Sequence, residues 1–268
     1  MFPLYELKLP QTTLGLVQTL TKSLRGALQI PGDPVLIREI KYPELAEIAI
    51  DLSGSQLRLN APRPSPPAGS GQPALTAQQF TLKALPLSIG DAALYVTIDA
   101  NGIVLHRNRD NAGNLFLQLQ RADNGRITVA IRQRDLEILV GKIAKNEAGK
   151  QGVVIEQMQL NLTSRGARSL GVEVRVQARK LFVRAFVRVA GVLRIDEQLV
   201  ARFSNLTCNG DGAIATLACG LLTPHLQALQ NRNYPLLSFA LGEVQLHDIN
   251  LAVGDGIEVT AEFGAAPA

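Results

Sequence analysis

The segment 172–189, VEVRVQARKLFVRAFVRV, alternates apolar and polar side chains with a period of two residues. This period is typical of a β-strand with one buried face, because successive side chains of a strand point to opposite sides. The all-apolar positions are even before Arg179-Lys180 and odd after it, so the phase of the pattern changes once. A shift of one residue exchanges the two faces of a strand, so the sequence requires either a β-bulge or a two-residue turn at this point.

The polar side of the segment favours one of these alternatives. A tight hairpin would place Arg175 directly opposite Arg184, and like charges in that position destabilise a strand pair unless an anion or a carboxylate lies nearby. We therefore expect one long strand with a bulge. In either case one face is continuously aliphatic, and the other face carries Glu173, Arg175, Gln177, Phe182, Arg184, Phe186 and Arg188.

Composition and charge limit the classes of partner. The 268 residues are enough for one large β-rich domain or two smaller ones with a substantial core. Tryptophan is absent and aromatic residues make up only 4% of the chain, so a platform for stacking nucleic-acid bases is not expected. Residues 203–268 contain one basic and six acidic side chains, so the first 202 residues carry the net positive charge of the protein. This asymmetry favours an anionic partner, either phosphate headgroups or an acidic protein.

The N-terminal segment and the two cysteines bear on the compartment. No run of about 18 apolar residues occurs, so no transmembrane helix is expected. No basic segment followed by an apolar stretch precedes the first helix, so a signal peptide is not expected and, if Met1 is the native start, the protein is cytoplasmic or peripheral to a membrane. Cys208 adjoins a Gly-Asp-Gly turn, and Cys219 falls on the expected returning strand, so a disulfide between them would require a bend.

Three helices are predicted from the spacing of apolar residues and from stop signals. The first covers 14–28 and ends before Pro31-Gly32, and the second covers 135–148 with an apolar stripe on one face. The third is expected to follow Thr223-Pro224, with Thr223 as the N-cap and the proline at the first helical position.

The remaining segments read as strands of a mostly antiparallel sheet. Hairpins are predicted where alternating strands flank Asn-Gly or Gly-Asp-Gly sequences. The segment 60–73, NAPRPSPPAGSGQP, is rich in Pro, Gly and Ser and is expected to be a flexible loop within one domain spanning 1–268. The predicted hairpins pair 94–98 with 103–107, 115–119 with 127–131, and 244–253 with 257–263.

The sequence offers few groups for catalysis. His106, His225 and His247 are isolated, and no second ligand stands at the spacing of a metal site. His247 and Asp248 are neighbours on a predicted strand, so their side chains should point to opposite faces and form no dyad. We therefore expect no enzymatic activity, no metal and no cofactor.

The strands have an excess of aliphatic residues, and the helices carry an apolar stripe. These features favour a binding function over a catalytic one. A long twisted antiparallel sheet around a helix, without aromatic side chains to fill it, leaves an elongated apolar channel that suits acyl chains. The alternative is a sheet whose helices fill this space and leave a packed domain without a ligand.

The order of segments from 127 to 263 resembles the tubular lipid-binding (TULIP) superfamily, which contains BPI-like and SMP domains. It is most similar to the bacterial branch of LmeA-type phospholipid-binding proteins. The segments that carry the resemblance are a strand leading into a helix, RITVAIRQRDLEILVGKIA; a strand, VVIEQMQLNL; a long ribbon, VEVRVQARKLFVRAFVRVAGVLRI; a short helix, LACGLLTPHLQAL; and a closing hairpin, FALGEVQLHDINLAVGDGIEVTAEFG.

The resemblance implies an α+β fold in which a long, highly curved antiparallel β-sheet wraps around an apolar helix. It implies a groove that binds or transfers a phospholipid, a fatty acid or another acyl-chain lipid, with contact to an anionic membrane surface. The alternative is a structural or protein-interaction module with a closed core; the oligomeric state is left open. We expect headgroup or membrane contact through Arg175, Arg184 and Arg188. The expected lipid-lining residues are Leu14, Val17, Leu24, Leu136, Val140, Val174, Val176, Val183, Val187 and Leu226.

Overall fold

The computed structural model describes residues 2–58, 71–110, 113–150, 152–180, 183–196, 200–235, 244 and 246–264. The chain divides into two compact units. The first consists of 1–130, 239–248 and 260–268, and the second of 131–238 and 249–259. A single domain over 1–268 stays a prediction, and the two units are described separately below.

The described residues form three helices: α1 Thr13–Ala27, α2 Gln133–Lys150 and α3 Ala213–Gln230. The first two predicted helices are confirmed. Thr12 caps α1, because its side-chain oxygen accepts a hydrogen bond from the Gly15 amide at 3.2 Å. Such a cap satisfies one of the backbone donors that a helix leaves free at its beginning.

The predicted beginning of the third helix at Thr223-Pro224 is wrong. α3 begins eleven residues earlier, at Ala213, and Pro224 lies inside it. The Thr223 hydroxyl donates to the Cys219 carbonyl at 2.8 Å instead of capping a helix. Proline removes one helical hydrogen bond, which is why it usually marks a boundary. Here Ala215 and Cys219, in the turns before the proline, are buried against neighbouring strands, and this packing stabilises the helix on the N-terminal side.

Sixteen strands complete the described fold, which is mostly β-sheet with few helices, as expected for an α+β protein with open, curved sheets. They are β1 Phe2–Pro3, β2 Leu28–Gln29, β3 Val35–Lys41, β4 Glu44–Asp51, β5 Ser55–Leu57, β6 Gln72–Ile89, β7 Ala92–Arg109, β8 Leu115–Arg121, β9 Asn124–Arg132, β10 Val154–Ser164, β11 Ser169–Lys180, β12 Val183–Ile195, β13 Val200–Gly210, β14 Asn233–Pro235, β15 Leu246–Val253 and β16 Gly256–Gly264.

The larger sheet has eleven strands, and its main path follows the order β15-β16-β9-β7-β6-β4-β3. Off this path, β1 pairs with β8, β2 with β5, β5 with β6, and β8 with β7. The pairing is mostly antiparallel, as predicted, but β4 and β5 run parallel to β6. The predicted loop at 60–73 falls mainly outside the described residues, and its last two positions, Gln72 and Pro73, already belong to β6.

Two predicted hairpins of this sheet are wrong. Residues 94–98 and 103–107 belong to a single strand, β7, which continues through Gly102 with a positive φ of 58°. Glycine adopts this conformation without a steric penalty, so an Asn-Gly pair that resembles a turn is accommodated inside the strand. β8 and β9 exist where predicted, but each lies beside β7 instead of pairing with the other. The predicted hairpin of β15 and β16 is confirmed.

The core of the first unit is closed by α1. Leu16 and Leu20 of this helix are buried among strand residues that include Leu45, Ile103 and Leu117. The burial of these apolar side chains stabilises the first unit, because it removes their surface from water.

The smaller sheet has five strands in the order β10-β11-β12-β13-β14, all antiparallel. The expectation of one long bulged strand at Arg179-Lys180 is wrong, because β11 and β12 form a hairpin in which Lys180 lies opposite Val183. The two residues that connect them, 181 and 182, lie outside the described residues. In this register Arg184 lies opposite Arg179, and not opposite Arg175 as considered from the sequence.

Candidate functional site

The aliphatic face of the smaller sheet is continuous across its strands. Val176 of β11 lies opposite Val187 of β12 on one side and Met158 of β10 on the other. Two residues earlier in β11, Val174 lies between Leu160 of β10 and Val189 of β12. Two-residue steps keep these side chains on one side of the sheet.

Helix α2 packs against the β10 side of this face. A Cβ atom at Gly141 would lie only 3.3 Å from the Met158 methyl carbon, so helix and strand are in close contact. Two α2 side chains also bind the backbone of Leu160: Glu137 accepts from its amide at 2.9 Å, and the Gln133 amide group donates to its carbonyl at 2.7 Å. These bonds cover part of an edge strand, whose outer backbone groups would otherwise be available to another chain.

Helix α3 covers the β12 and β13 side of the same face. Ala215 and Cys219 form a buried cluster with Ala185 and Val187. A disulfide joins Cys208 of β13 to Cys219, with Cα atoms 5.4 Å apart. The expectation that Cys219 lies on a returning strand is wrong, because the residue belongs to α3, which begins directly after the Gly-Asp-Gly segment and carries Cys219 back over β13.

Between the two helices, the valines of β11 are less completely covered. Val174 and Val176 are half-buried, whereas Leu160 beneath α2 is only 2% exposed. Leu136 and Val140 of α2 and Leu226 of α3 are also half-buried. Together with Val187, these predicted lining residues all belong to the second unit.

Four other predicted lining residues lie elsewhere. Leu14 is on the surface of α1 and 68% exposed, while Val17 and Leu24 pack against the closed core of the first unit. Val183 shares the aliphatic face of the sheet but is 45% exposed at the end of its hairpin. A role of any of these residues in lipid binding stays a prediction.

The opposite face of the sheet carries two clusters in which one glutamate binds two arginines. Glu173 accepts from Arg175 Nε at 2.8 Å and from Arg188. These three residues form the Glu173 cluster. They bring together two of the three predicted headgroup residues and a carboxylate whose role the alternation did not reveal.

The second group, the Glu156 cluster, has the same composition. Glu156 lies 3.1 Å from Arg179 Nε through one carboxylate oxygen and 3.1 Å from Arg184 Nε through the other. Glu156 stands where the register between β10 and β11 shifts, between Ile155 and Gln157. The shift places the carboxylate of Glu156 beside both arginines. The alternation of side chains along β10 alone did not predict this position.

The arginines change the acidity of Glu173. The hydrogen bond from Arg188 lowers the pKa of this carboxyl below its ordinary value, and Arg175 adds to the effect. These contributions outweigh the smaller opposing effect of burial. The carboxylate is therefore ionised near neutral pH, and the cross-strand pair of arginines is compensated by a fixed negative charge.

A pocket of about 400 Å³ lies on this same polar face. It contains the arginines of the Glu173 cluster but neither arginine of the Glu156 cluster. No motif in the sequence marks the other polar side chains of the pocket, although the alternation of VVIEQMQLNL places its glutamines on the polar side of β10. The polar-face residues of the pocket are Gln157, Gln159, Arg175, Gln177, Phe186, Arg188, Asn209 and Asp211.

The expectation that His247 and Asp248 point apart is wrong. His247 Nδ1 lies 3.1 Å from Asp248 Oδ2, because Asp248 has a positive φ of 49° that breaks the alternation of β15. Together with Glu262, they place three groups of the metal-ligand type within 4.8 Å of one another. Arg126 binds Glu262 at 2.6 Å, whereas the buried Nε2 atom of His247 has no hydrogen-bond partner among the described residues.

The chain matches no family model, no curated protein and no solved structure. Among the described residues, none of the helices combines the length and the apolar character needed to cross a membrane.

Proposed function

We propose that the second unit binds the acyl chain of a lipid on its aliphatic face, between α2 and α3. The observation that carries this proposal is the incomplete burial of Val174 and Val176, which lie on a continuous aliphatic surface flanked by two helices. Each CH₂ group of a ligand that leaves water for such a surface contributes about 0.8 kcal/mol, so a long chain gains enough to bind without specific polar contacts.

The resemblance to the tubular lipid-binding superfamily supports the same function by analogy. In our proposal the function is non-enzymatic binding or transfer of a phospholipid or another acyl-chain lipid. The lining side chains are those of the second unit, and α1 of the first unit serves its own core. A wrap of one curved sheet around a helix, as in that superfamily, remains part of the proposal.

Titration with a fluorescent fatty acid, NBD-labelled palmitate, tests this proposal. Val176→Phe adds a ring to the proposed floor, and we expect the Kd to rise by at least about tenfold because the chain and the ring compete for the same space. Val154→Phe is a matched control, since Val154 lies opposite Arg179 on the other side of the same sheet. We expect this variant to bind like the original protein.

Native mass spectrometry of the gently purified protein provides a second measurement. An added mass in the range of a fatty acid or phospholipid supports the proposal. A mass without ligand, together with equal palmitate affinity in the two variants, would overturn it and favour a structural or protein-interaction module. The closure of part of the aliphatic face by Ala215 and Cys219 is the observation that favours this second candidate.

A further inference from the structure

We propose that the pocket on the polar face of the smaller sheet is a second binding site, which takes a small anionic polyol such as a phosphorylated sugar or inositol. Nothing in the acyl-chain proposal requires this pocket, because the two surfaces lie on opposite sides of the same strands. Arg175 and Gln177 alternate with Val174 and Val176 along β11, so the side chains that carry the two proposals point to opposite sides of the strand, although Met158, Val176 and Val187 also border the pocket.

The arginines of the pocket supply the recognition of a negative charge. Each guanidinium group has five N–H donors in a planar arrangement that matches phosphate and carboxylate oxygens. Arg175 uses its Nε atom for Glu173, and Arg188 uses one terminal nitrogen for the same carboxylate. Glu173 thereby holds both arginines in place across the strand pair, and their other donors remain for a ligand. Asp211 also lines the pocket, so the two arginines attract an anion through their free donors and not through an excess of positive charge.

The amide side chains supply the recognition of hydroxyl groups. An amide offers both donors and acceptors, and a hydroxyl group needs both. Gln177 is held in place by Glu156, to which it donates at 3.2 Å. Within the described parts of the chain, no hydrogen bond engages the side chains of Gln157, Gln159 or Asn209, which lie on either side of the arginines.

The size and the aromatic residue of the pocket agree with this class of ligand. A volume of about 400 Å³ is at the lower end of the range for small-molecule sites. Phe186 is 57% exposed in the pocket, and it lies directly opposite Gln177. A flat ring beside polar groups suits a cyclic polyol, whose C–H groups cover an aromatic surface while its hydroxyl groups bind the amides. A long aliphatic ligand would leave these amides and arginines without partners.

The Glu156 cluster provides a matched control for the experiment. It likewise consists of one glutamate and two arginines on the same face, but its arginines, Arg179 and Arg184, do not line the pocket. The double variants Arg175→Gln/Arg188→Gln and Arg179→Gln/Arg184→Gln therefore remove equal charge from the same sheet. Asn209→Ala is a third variant that leaves every arginine in place and tests the hydroxyl contacts separately.

The probe is inositol monophosphate, measured by calorimetric titration beside inositol and inorganic phosphate. We expect inositol monophosphate to bind more tightly than either, and its Kd to rise at least about tenfold in Arg175→Gln/Arg188→Gln and about threefold in Asn209→Ala. The Kd in Arg179→Gln/Arg184→Gln should change by less than about twofold.

Flotation with vesicles containing phosphatidylinositol, compared with phosphatidylserine vesicles, distinguishes a lipid headgroup from a soluble ligand, and either source supports the site. Absence of binding by every probe, or equal losses in the two double variants, would overturn it.

Discussion

Arg175 of β11 lies directly opposite Arg188 of β12, and the carboxylate of Glu173 binds both guanidinium groups. Two cations in this position normally destabilise a strand pair. The carboxylate removes this penalty, and Glu156 does the same for Arg179 and Arg184. The repulsion between arginines that argues against a hairpin in one segment of sequence is therefore offset by the neighbouring glutamates.

Replacing Glu173 with glutamine should lower the urea midpoint of unfolding, since it leaves Arg175 and Arg188 facing each other without a compensating charge. Urea unfolding followed by circular dichroism measures this change. Glu258→Gln is the control, because Glu258 is exposed and has no ion-pair partner among the described residues. An equal shift of the urea midpoint in both variants would show that Glu173 has no special role.

The lowered pKa of Glu173 also predicts a dependence of stability on pH. A carboxyl that holds its proton less tightly in the folded state than in the unfolded state contributes stability above its unfolded pKa. This contribution is lost as the pH falls through the folded value, which lies below the ordinary 4.5. The stability difference between the original protein and Glu173→Gln should therefore be full near pH 6 and shrink as the pH falls below about 4. Urea midpoints across this range measure it, and a constant difference would contradict the prediction.

The disulfide between Cys208 and Cys219 should contribute about 3 kcal/mol to the stability of the second unit, because it closes a short loop in the unfolded chain. We expect the double variant Cys208→Ser/Cys219→Ser to unfold at lower urea concentration, with exposure of the Ala215 side of α3 to hydrogen exchange. A reducing agent should produce the same shift in the original protein and none in the variant. A reduced protein with unchanged stability would argue against this anchoring role.

Gly125→Ala should destabilise the first unit by about 1–3 kcal/mol. A Cβ atom at this position would lie 2.3 Å from the Phe263 ring, and this ring is among the most deeply buried side chains of the core. Gly149→Ala in α2 is the control, since a Cβ atom there meets nothing within 4 Å. Because alanine favours helices over glycine, the control should be neutral or up to about 1 kcal/mol more stable. Thermal unfolding of both variants decides between these outcomes.

The helices and strands whose sequence signals are local could be predicted from the sequence. The spacing of apolar residues predicted α1 and α2, and period-two alternation predicted the strands around Val174 and Val187 with their correct faces. It failed where a local signal has two structural meanings. Asn101-Gly102 resembles a turn but lies inside a strand, and Pro224 resembles a helix beginning but lies inside a helix.

The sequence by itself determined which side chains share a face in the regular parts of the strands, because a strand has a period of two whatever its partner is, and it failed at irregular positions such as Asp248. It likewise determined that the face with Val174 and Val176 is aliphatic and that the other carries Arg175 and Arg188. Only the tertiary structure decided which strands pair, where Glu156 and Glu173 lie relative to the arginines, and that Cys219 returns to Cys208. These outcomes depend on interactions between residues distant in the chain, whose energies no short segment contains. The polar pocket is therefore a product of register across β10 to β13 and not of any single motif.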